Sequence, residues 1–250
     1  MVALMTLCVC LAQPSLVGAS RPFEGDWRIT GIDHFDLVFR DGGDRELTRV
    51  AETAERAYRT VRASLGHELS LRPLVVMYRT RAEVQQAIGA RSFPGNREHV
   101  LWTMDVPAAE ADGQFVHELT HVFVFDMAPA AARGEMASWL QEGLAEYNRG
   151  RWTDADLDIL RALVNAGSVP TLDRLPSDDS PQGTRVRTVV GHLAVDFLVA
   201  RAGADAPRQL VNALRTDARQ TGEAYRAAVK LPQPDLDREF TRFVLERVAR

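Results

Sequence analysis

His117-Glu118-Leu119-Thr120-His121 is the stretch that decides how the rest of the chain is read. It spells H-E-x-x-H. On a helix turning by about 100° per residue, positions i and i+4 lie roughly 40° apart, so both imidazoles leave one face, a turn apart. Two neutral histidine nitrogens placed that way can bind one Zn²⁺, while Glu118 sits beside the open coordination position and can take a proton from water. Phe115, Val116, Leu119, Val122, Phe123 and Phe125 are apolar, and no Pro or Gly interrupts Gln114 to Met127, which predicts a buried helix. Two histidines and a glutamate are costly to bury there without a partner. A metal ion would serve as one.

Downstream, Trp139-Leu140-Gln141-Glu142-Gly143-Leu144-Ala145-Glu146-Tyr147 is a second apolar helical segment and carries two acids. Zinc hydrolases hold the metal with three protein ligands and a water, so two histidines need a third partner. The stretch between His121 and Glu142 is long enough for a loop and an antiparallel return. Glu142 and Glu146 are themselves i,i+4 on one helix, and spacing alone does not choose between them.

Together, H-E-L-T-H and W-L-Q-E-G-L-A-E-Y resemble the gluzincin metallopeptidases, in particular the small bacterial peptidase MA-like domains. The resemblance implies zinc ligation by His117, His121 and Glu142, with Glu118 as general base. It places the ligand immediately before Gly143, whose missing side chain is expected to allow close packing against the metal helix. Glu146 is then either an acceptor for the free ring N–H of a ligating histidine or a solvated charge. The metzincin extension fails here, because Val124 and Met127 stand where that class has glycine and histidine. Aminopeptidase relatives carry a Gly-x-Met-Glu-Asn stretch, and Leu101-Trp102-Thr103-Met104-Asp105 lacks it, which favours internal cleavage.

Hydrolysis also needs a donor for the developing oxyanion. Gluzincins use a histidine oriented by a carboxylate, or a tyrosine. His192 and Asp196 are i,i+4, so His192 is the candidate catalytic donor, with Arg187 and Tyr147 as others. The tyrosine usual near the start of that helix is missing from Arg185-Val186-Arg187-Thr188. His34, His67 and His99 lack ligand-like spacing and read as structural or surface residues.

Upstream of the motif, Arg28 to Arg40 mixes apolar and polar residues as a strand would, ending at Asp41-Gly42-Gly43-Asp44. Residues 46–65 read helical, 74–78 as a buried strand, 81–88 as a helix and 99–104 as another strand. Strands and helices alternate here and only helices follow, which predicts an α+β fold with a small mixed sheet before a mainly helical half. Gluzincins hold the substrate backbone on the edge strand of such a sheet, and 99–104 is the candidate. Past an Ala/Pro/Gly linker at 128–135 and the 139–147 helix, a helix over 154–166 is expected with Thr153 as cap. Residues 167–184 form the longest expected loop, followed by helices near 186–202, 206–217, 220–230 and 234–249.

With 250 residues, 46% hydrophobic and 26% charged, the chain can bury a substantial core, read as one peptidase domain over 20–250. A net charge of −4 gives no reason to expect nucleic acid as a partner. Val2 to Ala12 is apolar but too short to span a bilayer, and Val17-Gly18-Ala19 before Ser20 is a small-residue cleavage pattern. Residues 1–19 are therefore expected to be a signal peptide of an exported protein, with membrane attachment only if they are retained. Cys8 and Cys10 both fall inside that segment, so the mature chain would carry no disulfide. Two functions stay open: a zinc peptidase acting on a peptide or protein substrate, and a catalytically silent, zinc-stabilised binding domain.

Overall fold

The strand β1 (Thr6–Leu7) and the hairpin β2 (Arg28–Gly31) and β3 (Asp36–Phe39) begin the sheet of the computed structural model of this chain. The structure describes residues 6–7, 26–40, 43–80, 82–83, 99–103, 108–131, 134–167, 169, 171–172, 175 and 180–249. By contact, the chain forms two compact units, Met1–Val61 with Glu68–Val122, and Arg62–His67 with Phe123–Arg250. Apart from Thr6–Leu7, the expected signal segment lies outside the described residues.

The single strand expected over Arg28 to Arg40 is instead two. Ile32 N donates to Phe35 O at 2.9 Å, closing a turn that sets Arg28 opposite Phe39 and Gly31 opposite Asp36. Polar Asp33 and His34 take the turn while Ile32 and Phe35 are buried beneath it. Arg72 pins the loop, with Nη2 on the carbonyls of Ile32 and Phe35 and Nε on Asp36 Oδ1 at 2.8 Å. These bonds satisfy carbonyls that the sheet ladder does not reach.

The helix α1 (Leu47–Leu65) leads to β4 (Leu74–Tyr78), and β5 (His99–Thr103) follows. The sheet order is β1-β2-β3-β4-β5, antiparallel from β1 to β3 and parallel from β3 to β5. The mixed sheet is as expected, and among the described residues β5 is its edge. Of the expected helix over 81–88, residues 82–83 are helical and the others lie outside the described residues. The apolar stripe of α1, Val50, Ala54, Tyr58 and Val61, is buried. Phe35 links the hairpin to Tyr58 and to Phe115 through edge-on ring contacts at 6.0 and 5.9 Å. Phe115 belongs to α2 (Ala108–Met127), which contains the whole uninterrupted stretch from Gln114 and begins six residues before it.

The second unit is helical: α3 (Ser138–Arg149), α4 (Asp154–Asn165), α5 (Pro181–Ala202), α6 (Ala206–Ala213), α7 (Thr221–Val229) and α8 (Gln233–Val248). Helix α5 is its centre. Val189, Val190, Leu193, Ala194, Val195 and Leu198 are all buried, as befits a helix apolar on every side. It starts at Pro181, not near 186, because Ser180 Oγ accepts from Gly183 N at 3.0 Å and Pro181 fits the first helical position. Thr153 and Asp156 form a reciprocal capping box on α4, confirming the expected cap. Among the described residues no helix is long and apolar enough to cross a membrane.

Candidate metal centre

Helix α2 carries the motif as a helical repeat requires. The Nε2 atoms of His117 and His121 face each other at 3.3 Å, with ring planes 77° apart. The helix is anchored five residues before His117: Thr53 Oγ1 donates to Asp112 Oδ1 at 2.8 Å, and Arg56 Nη2 reaches both oxygens of that carboxylate at 3.2 and 3.1 Å. Inside the helix, Leu119 is fully buried.

Glu142, on α3, completes a group: His117, His121 and Glu142 each offer one ligand atom, and all three atoms lie within 4.8 Å of one another. Among the described residues this is the one group of three or more His, Cys, Asp or Glu side chains close enough to share an ion. All three residues are partly buried. In four-coordinate zinc, metal–nitrogen bonds of about 2.0–2.1 Å put neighbouring donors about 3.3–3.4 Å apart. The two imidazole nitrogens match that edge, and a two-nitrogen, one-oxygen set leaves a fourth position for water. The residues present fit a zinc ion.

Glu118 is half-buried, and among the described residues its carboxylate takes part in no hydrogen bond or ion pair. Glu146, a turn after Glu142, is buried and accepts from Arg149 Nη1 at 3.3 Å on both oxygens. Its charge also bears on His192, so it is no solvated surface acid. Gly143 packs on Gly191 of α5, correcting the expectation that it opens room for the metal helix.

His192 is buried, and its surroundings differ from the expected pair. Nε2 stands 4.0 Å from Asp196 Oδ1, beyond hydrogen-bond reach. Asp196 instead accepts from Trp152 Nε1 at 3.1 Å and faces Arg247 Nη2 at 3.4 Å. The Trp152 indole lies flat on the imidazole, 4.2 Å between centroids and 9° between planes. The Arg247 guanidinium lies over the Trp152 ring, 4.9 Å from its centroid. Burial pushes the His192 pKa below the ordinary imidazole value. The carboxylates of Asp196, Glu146 and Asp156 pull it back up, and Arg247 adds to the lowering. Trp152 was not picked out in the sequence, where nothing about a tryptophan after a helix signals its partner.

Of the other donor candidates, Tyr147 is half-buried, and desolvation, helped by the charge of Asp196, raises its pKa. Arg187 donates to Thr184 Oγ1 at 3.2 Å on its own helix. The remaining histidines are structural where described. His34 Nδ1 pairs with Glu55 Oε2 at 2.7 Å with its ring stacked on Tyr58, and His67 Nε2 pairs with Asp126 Oδ2 at 2.6 Å. The side chain of His99 lies outside the described residues. A cavity of about 360 Å³ between the hairpin turn and α1, lined by residues such as Ile32, Leu37, Ala51 and Arg59, includes none of the ligand candidates. Comparison with family models, with curated proteins and with solved structures finds no match to this chain.

Proposed function

We propose that this chain is a zinc-dependent peptidase of the gluzincin kind, hydrolysing internal peptide bonds. The observation that carries the reading is the convergence of His117, His121 and Glu142, with the two Nε2 atoms at a tetrahedral edge length and Glu118, half-buried, on the same helix. A bound Zn²⁺ would acidify a water and polarise the scissile carbonyl.

The chain's own residues supply the rest. Glu118 takes the proton of the attacking water on a carboxylate oxygen and returns it to the departing amide nitrogen. Strand β5, the edge of the sheet among the described residues, is the candidate against which an extended substrate can lie. Tyr147 and His192 are the two donor candidates for the oxyanion, and both hold their protons at neutral pH: the phenol through its raised pKa, the neutral imidazole at one ring nitrogen. Export, with cleavage before Ser20, belongs to the same proposal and is checked by amino-terminal sequencing of the protein from its host.

The test is metal analysis of the purified chain together with casein cleavage, with and without a chelator. One zinc per chain and chelator-sensitive cleavage support the peptidase. Zinc without cleavage points to the silent binding domain, and no zinc after resupply removes both.

A further inference from the structure

We propose that the backbone contact between Gly143 and Gly191 sets the depth of Glu142, making Gly191 a positioning residue for the metal centre. The inference rests on the zinc reading above and goes beyond it by naming what holds the third ligand in place.

A Cβ built on Gly143 would stand 2.3 Å from Gly191 O and 3.0 Å from its Cα. One built on Gly191 would stand 2.0 Å from Trp139 O and 3.2 Å from Gly143 N. The opposing atoms are all main chain, so no rotamer change relieves the clash, and the helices themselves must part. Restoring ordinary contact from 2.0 Å requires a separation of more than about 1 Å, whereas a metal–ligand distance tolerates about 0.2 Å. Glu142 adjoins Gly143, so movement of α3 at the crossing is passed to the ligand almost undiminished. Glycine at both positions lets α3 and α5 cross with their backbones touching, and that depth is the one from which the Glu142 carboxylate joins the two imidazoles.

The rival account is that the glycines merely pack the core. The two accounts differ in what happens to the metal while the fold survives. Zinc affinity is measured by chelator competition on the full chain for wild type, Gly143→Ala, Gly191→Ala and Leu198→Ala. Circular dichroism and the metal-free melting temperature are recorded beside it, and the Co²⁺ visible spectrum reports coordination. Leu198 is fully buried on the same helix as Gly191 and serves as the packing control. The expected result is zinc affinity lowered on the order of 10²-fold in both glycine variants, with an altered Co²⁺ spectrum, and nearly unchanged in folded Leu198→Ala.

Glu142→Asp keeps both glycines and shortens the ligand by one methylene, about 1.5 Å, so it decides even if the glycine variants fail to fold. A helix locked by the crossing cannot follow the shorter side chain, and affinity falls on the order of 10²-fold. Affinity within about threefold of wild type for Glu142→Asp, or for a folded glycine variant, overturns the proposal. Absence of zinc from the wild type overturns the zinc reading itself, which is seen before any variant is made.

Discussion

Trp152 covers one face of His192 as a parallel plate, 4.2 Å away and 9° from coplanar, and Arg247 lies over the Trp152 ring. The imidazole is thus covered on that face and buried, while the Asp196 carboxylate is too distant to bond it. Its pKa is lowered by that burial, and the sign of the consequence can be worked out. The unfolded chain takes up a proton at the ordinary value of 6.5 and the folded chain only below it. Stability from His192 is therefore complete above pH 6.5 and is lost as pH falls through that value toward the folded pKa. Melting temperatures from pH 7.5 to 5 are expected to fall less steeply for His192→Phe, which keeps the stacking area and cannot titrate. Parallel slopes for the two proteins would show that His192 does not titrate with unfolding.

Glu118→Gln retains size and removes the proton acceptor. Zinc content is expected to stay at the wild-type level while peptide turnover drops on the order of 10²-fold or more. Stopped-time cleavage assays with metal analysis on the same samples check both halves. A variant with wild-type turnover would strip Glu118 of its role.

Glu142→Ala removes a ligand and is expected to bring zinc binding close to nothing. Glu146→Ala, which leaves Arg149 without its carboxylate partner, is expected to weaken zinc by roughly 10-fold, the low end for residues that steady a metal site from behind its ligands. Equilibrium competition with a chelating dye measures each. If the order is reversed, the ligand lies one helical turn further along α3.

Tyr225 is buried against Trp139, with rings edge-on at 5.3 Å, and its hydroxyl donates to Ala194 O at 2.7 Å on the central helix. Tyr225→Phe keeps the ring contact and removes the second hydrogen bond to a carbonyl that, inside α5, also accepts from the backbone four residues on. Urea unfolding is expected to show a loss of about 0.5–1.5 kcal/mol, the net worth of one hydrogen bond, with an unchanged m-value. A loss under about 0.3 kcal/mol would mean that the hydroxyl adds nothing to the carbonyl's helical bond.

What could be read from the sequence was local. His117 and His121 are one turn apart in any helix, so their shared face was legible without tertiary information, as was Thr153 as the cap of α4. The run Leu74 to Tyr78 is a strand with the bounds its apolar letters suggest. The hairpin at Asp33-His34 is hidden because its turn has only two polar residues between apolar Ile32 and Phe35, with no Asn-Gly or Asp-Gly pair to mark it. The start of α5 was missed although Ser180-Pro181 is a cap signal, since the Ser/Asp/Pro/Gly richness of the preceding residues pointed to a loop. Gly191 facing Gly143 and Trp152 facing His192 were beyond reach, because each pair joins distant segments and neither member carries a pattern of its own. The grouping of Glu142 with the histidines lay between these cases, reached through the combined motif and not through spacing.

The plate of rings at His192 also tells time. Its members come from the turn after α3, the middle of α5 and the last helix, so it closes only after two long stretches of chain have been brought back on themselves. The entropy of closing such loops is spent before any stacking is gained, which places this contact late in folding. Indole emission is sensitive to a flat imidazole neighbour and to an overlying guanidinium. In a refolding experiment the Trp152 component of the fluorescence will therefore lag behind the far-ultraviolet signal of the helices.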